Sequence, residues 1–256
     1  MCRYFAYLGE PIPLSSWLFD APHSLQAQAC QPREMVSGTV NVDGTGLVWW
    51  QDGDERAMRY VFDGPPWSDP NLPSLAPRWS SGAQLGIVRS ATPGIGLGPE
   101  HLQPFLDSKH GLAFMHNGWI GSFRGPVGHA MSATLNAEQF QQLPALNDSA
   151  VLFRCVMQRV DAGASPAQAL RETASEVLAR AVEHNEAATL SVAICDGTSV
   201  TAIRTAHGIE PNSLYFSERT SGSVLASEAM DEGEWHAVPP EHIVTMHAHN
   251  VSVGAL

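Results

Sequence analysis

The middle of the chain reads as two consecutive amphipathic helices with strand-like segments on both sides, and this order restricts the fold more than any other feature. From about Ser149 to Val160, the side chains of Val151, Leu152, Cys155 and Val156 fall on one helical face. Ser165-Pro166-Ala167-Gln168 then supplies an N-cap, a proline at the first helical position and a glutamine at the third, which is a capping box. Leu170, Ala174, Val177, Leu178 and Ala181 carry that helix on with an apolar stripe. Upstream, residues 85–92 and 111–115 read as buried strands, the second stopped at His116-Asn117-Gly118, where the Asn-Gly pair suggests a tight turn with positive φ. Downstream, residues 188–195 and 199–204 read as a hairpin around Asp196-Gly197, with further short strands near 213–217, 222–227 and 242–247. Strands, paired helices and more strands suit antiparallel sheets with helices packed in layers, not a parallel βαβ repeat.

The 256 residues, 44% of them hydrophobic, suffice for one large domain with a substantial core. A net charge of -12, from 26 acidic and 14 basic residues, argues against nucleic acid or anionic lipid as a partner. The opening residues do not form a signal peptide, and no apolar run approaches the roughly 20 residues that span a bilayer, so a cytoplasmic protein is expected. Cys2, Cys30, Cys155 and Cys195 are widely and irregularly spaced, which favours free thiols and offers no zinc-site spacing. Residues 63–82, with Pro65, Pro66, Pro70, Pro73, Pro77, Trp67 and Trp79, are either a rigid surface connection or a wall of the substrate pocket.

A cysteine directly after the initiator methionine has a specific chemical use. Its small side chain lets Met1 be cleaved, which leaves a thiol and a free α-amine on one residue. An α-amine with a pKa of about 7.7–8.0 can take the thiol proton near neutral pH and later give it to a leaving amine. Alone, Cys2 is as well explained as a small buried residue of an N-terminal strand. Its companions decide the matter.

Met1-Cys2-Arg3-Tyr4 is followed in order by Asn41-Val42-Asp43-Gly44-Thr45-Gly46, Arg89-Ser90-Ala91-Thr92, Gln103-Pro104-Phe105 with His116-Asn117-Gly118, and Asn147-Asp148-Ser149 at a helix start. This series resembles class II glutamine amidotransferase domains, the N-terminal-cysteine branch of the N-terminal-nucleophile hydrolases. The resemblance implies an α+β fold over residues 2–256, a four-layer αββα sandwich of two antiparallel sheets flanked by helices. It implies Cys2 as nucleophile, with the Asn117 side-chain NH2 and the Gly118 backbone N–H stabilising the oxyanion. Preorganised donors of that kind are worth ~3–4 kcal/mol each. Arg89 would clamp the α-carboxylate of a glutamyl group through a two-pronged contact and Asp148 would pair with its α-ammonium. Read without the family, Arg89 is equally a sheet-edge ion pair, Asp148 a helix N-cap and Asn117-Gly118 an ordinary turn. Asp43 and Gly44 are expected to shape the turn supporting the nucleophile. Thr92 and His116 complete the substrate side, His116 in a structural part because the chemistry needs no imidazole.

Within this group the chain is most similar to the small stand-alone γ-glutamyl hydrolases of ergothioneine biosynthesis. The likeness lies in Cys2-Arg3-Tyr4 with Leu8-Gly9, in Val88-Arg89-Ser90-Ala91-Thr92, and in Ala226-Ser227-Glu228 followed by Asp231. It implies release of glutamate from a γ-glutamyl hercynylcysteine sulfoxide, a small-molecule substrate, with no metal or other cofactor. No glycine-rich phosphate loop or synthase-like segment is present, so one domain suffices. Two other readings stay open: a glutaminase subunit docking on a separate synthase partner, and a non-catalytic domain that binds a glutamyl ligand. A homodimer is also compatible with the sequence.

Overall fold

Strand β1 (Arg3–Pro13) is buried on both faces over its first six residues, which makes it a central strand between two layers. Alternation sends Tyr4, Ala6 and Leu8 to one side and Phe5 and Tyr7 to the other, and each set joins a different apolar core. The computed structural model describes residues 1–35, 38–51, 56–92, 94 and 96–256. After β1 come α1 (Leu25–Cys30), β2 (Thr45–Trp50), β3 (Ala57–Phe62), α2 (Leu72–Leu75), β4 (Ser80–Val88), β5 (Phe105–Asp107) and β6 (Leu112–Ile120). Helices α3 (Pro126–Ala133), α4 (Ala137–Gln141), α5 (Asp148–Asp161) and α6 (Pro166–Glu183) follow. The chain ends with β7 (Ala188–Cys195), β8 (Val200–His207), β9 (Tyr215–Arg219), β10 (Gly222–Ala226), β11 (His236–Ala237), β12 (His242–His247) and β13 (Asn250–Ala255).

The strands form two antiparallel sheets, ordered β11-β9-β10-β1-β4-β2-β3 and β13-β12-β8-β7-β6-β5. One core fills the space between them, with Tyr4, Ala6, Leu85 and Ile87 from the first sheet facing Ala113, Met115, Ala193 and Val244 from the second. The outer face of the second sheet packs its Phe114, Leu190, Val192 and Ile203 on α3, α5 and α6. The outer face of the first sheet is covered by α1, α2 and the segment around Trp17. The result is the four-layer αββα arrangement, with long helices on one side and short ones on the other.

Local signals account for most element ends. Ser165 caps α6 by accepting from Gln168 N at 3.2 Å, with Pro166 at the first position. The β7–β8 hairpin turns at Gly197, whose φ of 88° favours glycine, while Asp196 accepts from Thr198 N and Ser199 N. The Asn117-Gly118 turn, in contrast, does not exist: β6 runs straight through, pairing Asn117 with Ser191 and Gly118 with Leu190 of β7. Eight ladder pairs outweigh a dipeptide's local preference. Residues 63–82 are a structural connection. Leu72 and Ala76 enter the outer core, Trp79 stacks on Trp49 at 5.0 Å, and Asp69 accepts from Tyr60 Oη and from Leu72 N.

Candidate active site

Sheet register brings the first two candidate residues together. Arg3 of β1 is paired with Val88 of β4, so Cys2 and Arg89, one residue beyond each strand, leave the sheet at the same end. Cys2 is 7% exposed, carries a free thiol and shares the inter-sheet face of Tyr4 and Ala6. Its carbonyl accepts from Arg3 Nη1 at 3.0 Å. The Arg3 guanidinium, itself wholly buried, is neutralised by Glu228, whose Oε1 accepts from Arg3 Nε at 2.7 Å. Glu228 also accepts from His23 Nε2 and from the backbone N–H groups of Arg33 and Glu34, so one carboxylate ties β1 to the 23–34 segment. Burial alone would raise its pKa, but these partners hold it at about 2. Burial also holds the Met1 α-ammonium below its usual value.

A small cleft at this sheet end is lined by Cys2, Arg89, Ser90, Ala91, Thr92, His101, Gln103, Gly118, Asn147, Asp148 and Ser149. Arg89 is pinned at its backbone, where N donates to Gly44 O at 2.8 Å and O accepts from Asp43 N at 2.9 Å. Asp43 Oδ2 then accepts from Ala91 N at 2.8 Å, so Asp43 fixes the turn after Arg89, and its charge also acts on the nearby Met1 amine. The guanidinium gives Nη2 to Gly96 O at 2.9 Å, and Nη1 is buried with no partner among the described residues. A cation with an unused, desolvated donor is suited to a carboxylate. Among the described residues Arg89 makes no sheet-edge ion pair.

The period of two along β6 divides its residues by function. Ala113, Met115 and Asn117 face the first sheet, whereas Phe114 and His116 face the helices. The Asn117 carboxamide is oriented by Asn212, whose Nδ2 donates to Asn117 Oδ1 at 3.2 Å and to its carbonyl at 3.0 Å. That leaves the Asn117 Nδ2 on the other side, 3.4 Å from Ser227 Oγ, which also accepts from Tyr4 N at 3.0 Å. The NH2 thus points toward the start of β1. His116 lies outside the cleft lining. Its Nε2 donates to Thr189 O at 3.4 Å, so Nδ1 accepts from Ser149 Oγ at 2.9 Å, and burial keeps the ring neutral against the pull of Asp148. Gly118 is required by close approach: a Cβ there would lie 2.1 Å from both His116 Nε2 and Thr189 O. Gln103 takes the place of a strand neighbour, its side chain accepting from His116 N at 2.6 Å and donating to His116 O at 3.2 Å.

Asn147, not Asp148, caps α5, accepting from Ala150 N at 2.8 Å. Asp148 is thereby the first helical residue, at the positive end of the helix dipole, where an anion is favoured. Its Oδ1 accepts from Ser149 N at 2.8 Å, and it lines the cleft together with Thr92 and Arg89. Of the seven residues proposed from sequence, Cys2, Gly118, Arg89, Thr92 and Asp148 line one cleft, Asn117 adjoins it from the inter-sheet side and His116 braces it from behind. Gln103, Asn147, Ser149 and Ser227 stood inside recognised motifs without a role. Asn212, Gly96 and His101 carry no local signal, and only their long-range contacts reveal them.

No family model matches the chain. It is 31% identical to the gamma-glutamyl-hercynylcysteine sulfoxide hydrolase of Mycolicibacterium smegmatis over the full length of both. The same identity holds against the enzyme of that name from Mycobacterium tuberculosis, with 100% of this chain and 97% of that one covered. The probable glutamine amidotransferase DUG3 of Saccharomyces cerevisiae is 26% identical over 96% of this chain and 82% of its own. Among solved structures, a class-II glutamine aminotransferase domain protein from Silicibacter pomeroyi superposes with a TM-score of 0.71 at 23% identity, covering 100% of this chain and 99% of that one. The glutamine phosphoribosylpyrophosphate amidotransferase of Bacillus subtilis gives 0.68 at 16% identity, covering 99% of this chain and 49% of its own. These two share the fold. With the full-length relatives at 31% identity, the chain belongs to the family of the gamma-glutamyl-hercynylcysteine sulfoxide hydrolases, built on the class II glutamine amidotransferase fold.

Proposed function

We propose that this protein hydrolyses a γ-glutamyl amide, with Cys2 as nucleophile once Met1 has been removed, and that its substrate is a γ-glutamyl hercynylcysteine sulfoxide like that named for its relatives. The observation that carries the reading is the single cleft shared by a buried thiol, a guanidinium with an unused donor and a helix-start carboxylate. Arg89 takes the α-carboxylate and Asp148 the α-ammonium of the glutamyl group, which leaves the γ-carbonyl to face Cys2. The free α-amine of Cys2 accepts the thiol proton, and Sγ attacks the γ-carbon. The resulting oxyanion receives hydrogen bonds from the Asn117 NH2 and the Gly118 N–H. On collapse the C–N bond breaks and the α-ammonium protonates the departing amine. Water, losing a proton to the same amine, then cleaves the thioester, releases glutamate and restores the thiol. Thr92 lies on the substrate side of the cleft. The amine product leaves as a small molecule, so a single domain suffices. We assign the reaction to the cytoplasm, where free thiols such as these four cysteines persist.

The test is a glutamate-release assay comparing glutamine, simple γ-glutamyl amides and a γ-glutamyl thioether sulfoxide, with intact mass measured on the same sample. Active protein should lack Met1 and prefer the sulfoxide, and Cys2→Ala should be inert while still binding the glutamyl group. An active Cys2→Ala protein would sink the mechanism, and glutamine as the preferred substrate would sink the substrate assignment.

A further inference from the structure

The cap of α5 dictates which way the Asn147 amide faces. Its Oδ1 accepts from Ala150 N at 2.8 Å, so its Nδ2 is the group lying 3.0 Å from His101 Nδ1. An amide NH2 only donates, so Nδ1 must accept and the His101 proton sits on Nε2. On its other side His101 packs against Gly96, where a Cβ would come within 2.7 Å of His101 Nε2. The carbonyl of that same Gly96 accepts from Arg89 Nη2 at 2.9 Å. His101 therefore stands between Arg89, reached through Gly96, and Asp148, reached through its neighbour Asn147. Both residues line the cleft with it.

We propose that His101 is a positioning residue that holds the carboxylate-binding and ammonium-binding groups at a fixed spacing, and that its protonation uncouples them and weakens γ-glutamyl binding at acid pH. The inference rests on the γ-glutamyl reading for the roles of Arg89 and Asp148, although the hydrogen-bond argument does not. Protonation would set an N–H against the Asn147 NH2 and place a second cation beside Arg89. The charged groups around the ring oppose one another. Burial and Arg89 disfavour the charged ring, whereas Glu100, with Oε1 at 3.7 Å from Nε2, and Asp63 favour it. Asn147 adds no charge, and Asp148 follows it on the same helix. Burial and Arg89 prevail, and His101 stays below its usual 6.5. The ring is then neutral near pH 7 and charges only in moderately acid solution.

The experiment is an NMR titration of the His101 ring together with KM and kcat for a simple γ-glutamyl amide at about pH 8 and about pH 5.5. In the wild-type protein KM should rise on acidification, by at most the roughly ten-fold that an imidazole of ordinary pKa would give. His101→Gln offers an acceptor that does not titrate, so the ratio of the two KM values should flatten whatever their absolute size. Asn147→Asp retains the helix cap but presents only acceptors to Nδ1. The His101 titration should then move above 6.5 and the acid rise in KM should shrink. The wild-type KM ratio persisting in both variants, or a His101 titration unmoved by Asn147→Asp, would overturn the inference. Failure of the underlying reading would show elsewhere, as an Arg89→Ala protein with unchanged KM.

Discussion

Glu228→Gln is expected to destabilise the protein strongly at neutral pH and progressively less as the pH falls below about 4.5. The wild-type carboxylate, almost fully buried, accepts from Arg3 Nε at 2.7 Å, His23 Nε2 at 2.7 Å, Arg33 N at 2.9 Å and Glu34 N at 3.0 Å. These partners lower its pKa from the usual 4.5 to about 2 although burial acts the other way. Because the folded value is depressed, the stabilisation is complete above about 4.5 and is lost as the pH falls toward 2. At ~1.4 kcal/mol per pH unit, the charge is worth roughly 3 kcal/mol. An independent figure comes from the pair itself. Removing the anion strands the buried Arg3 guanidinium, and breaking a buried ion pair costs about 3–5 kcal/mol. The two figures describe one charge and are not additive. Urea unfolding of both proteins at about pH 7, 5 and 3 measures the gap directly. It should be about 3–5 kcal/mol at the first two values and narrow at the third. A gap that stayed constant with pH, or one below ~1 kcal/mol at neutral pH, would refute the reasoning. Because Arg3 also donates to the Cys2 carbonyl, folded Glu228→Gln protein should lose turnover as well.

Three further outcomes follow from the geometry. Asn212→Ala removes the donor that orients the Asn117 carboxamide, so kcat should fall about ten-fold with little change in KM; an unchanged kcat would separate Asn212 from the oxyanion group. Arg89→Lys keeps the charge but loses the fork, and steady-state kinetics should show KM for a γ-glutamyl amide raised by about 10- to 100-fold, the worth of one charge-assisted hydrogen bond. Gly46→Ala would put a Cβ 1.7 Å from Gln103 O, so calorimetry should record a loss of about 1–3 kcal/mol or no folded protein, with the 103–116 contact disturbed.

The sequence is legible where structure is local. The stripe of α5, the capping box of α6 and the Asp196-Gly197 hairpin each lie within a few residues of their cause, and each is found as read. The Asn117-Gly118 pair misleads because its fate is set by β7, some 70 residues later. The edge strand β3 gives no buried alternation, and β2 is buried on both faces, so neither shows the pattern of a half-buried strand. At the site, motif order picks out Cys2, Arg89 and Asp148, which line one cleft, but the residues that hold the surrounding groups in place are hidden. Asn212 reaches Asn117 across 95 positions and Glu228 reaches Arg3 across 225, and neither residue type announces such a bond.

The placement of β1 also sets a schedule for the proposed nucleophile. Its two neighbours are β4 and β10, and the second contact pairs Phe5 with Ala226. At synthesis rates of about 5–20 residues per second, β10 leaves the ribosome roughly ten to forty seconds after β1. Throughout that interval β1 lacks its β10 neighbour and keeps an open edge. In the finished fold the Met1 amine is partly buried, and burial lowers its pKa. Removal of Met1, which the proposed mechanism requires, is therefore expected to be easier on the growing chain than on the finished fold, where the amine is partly buried.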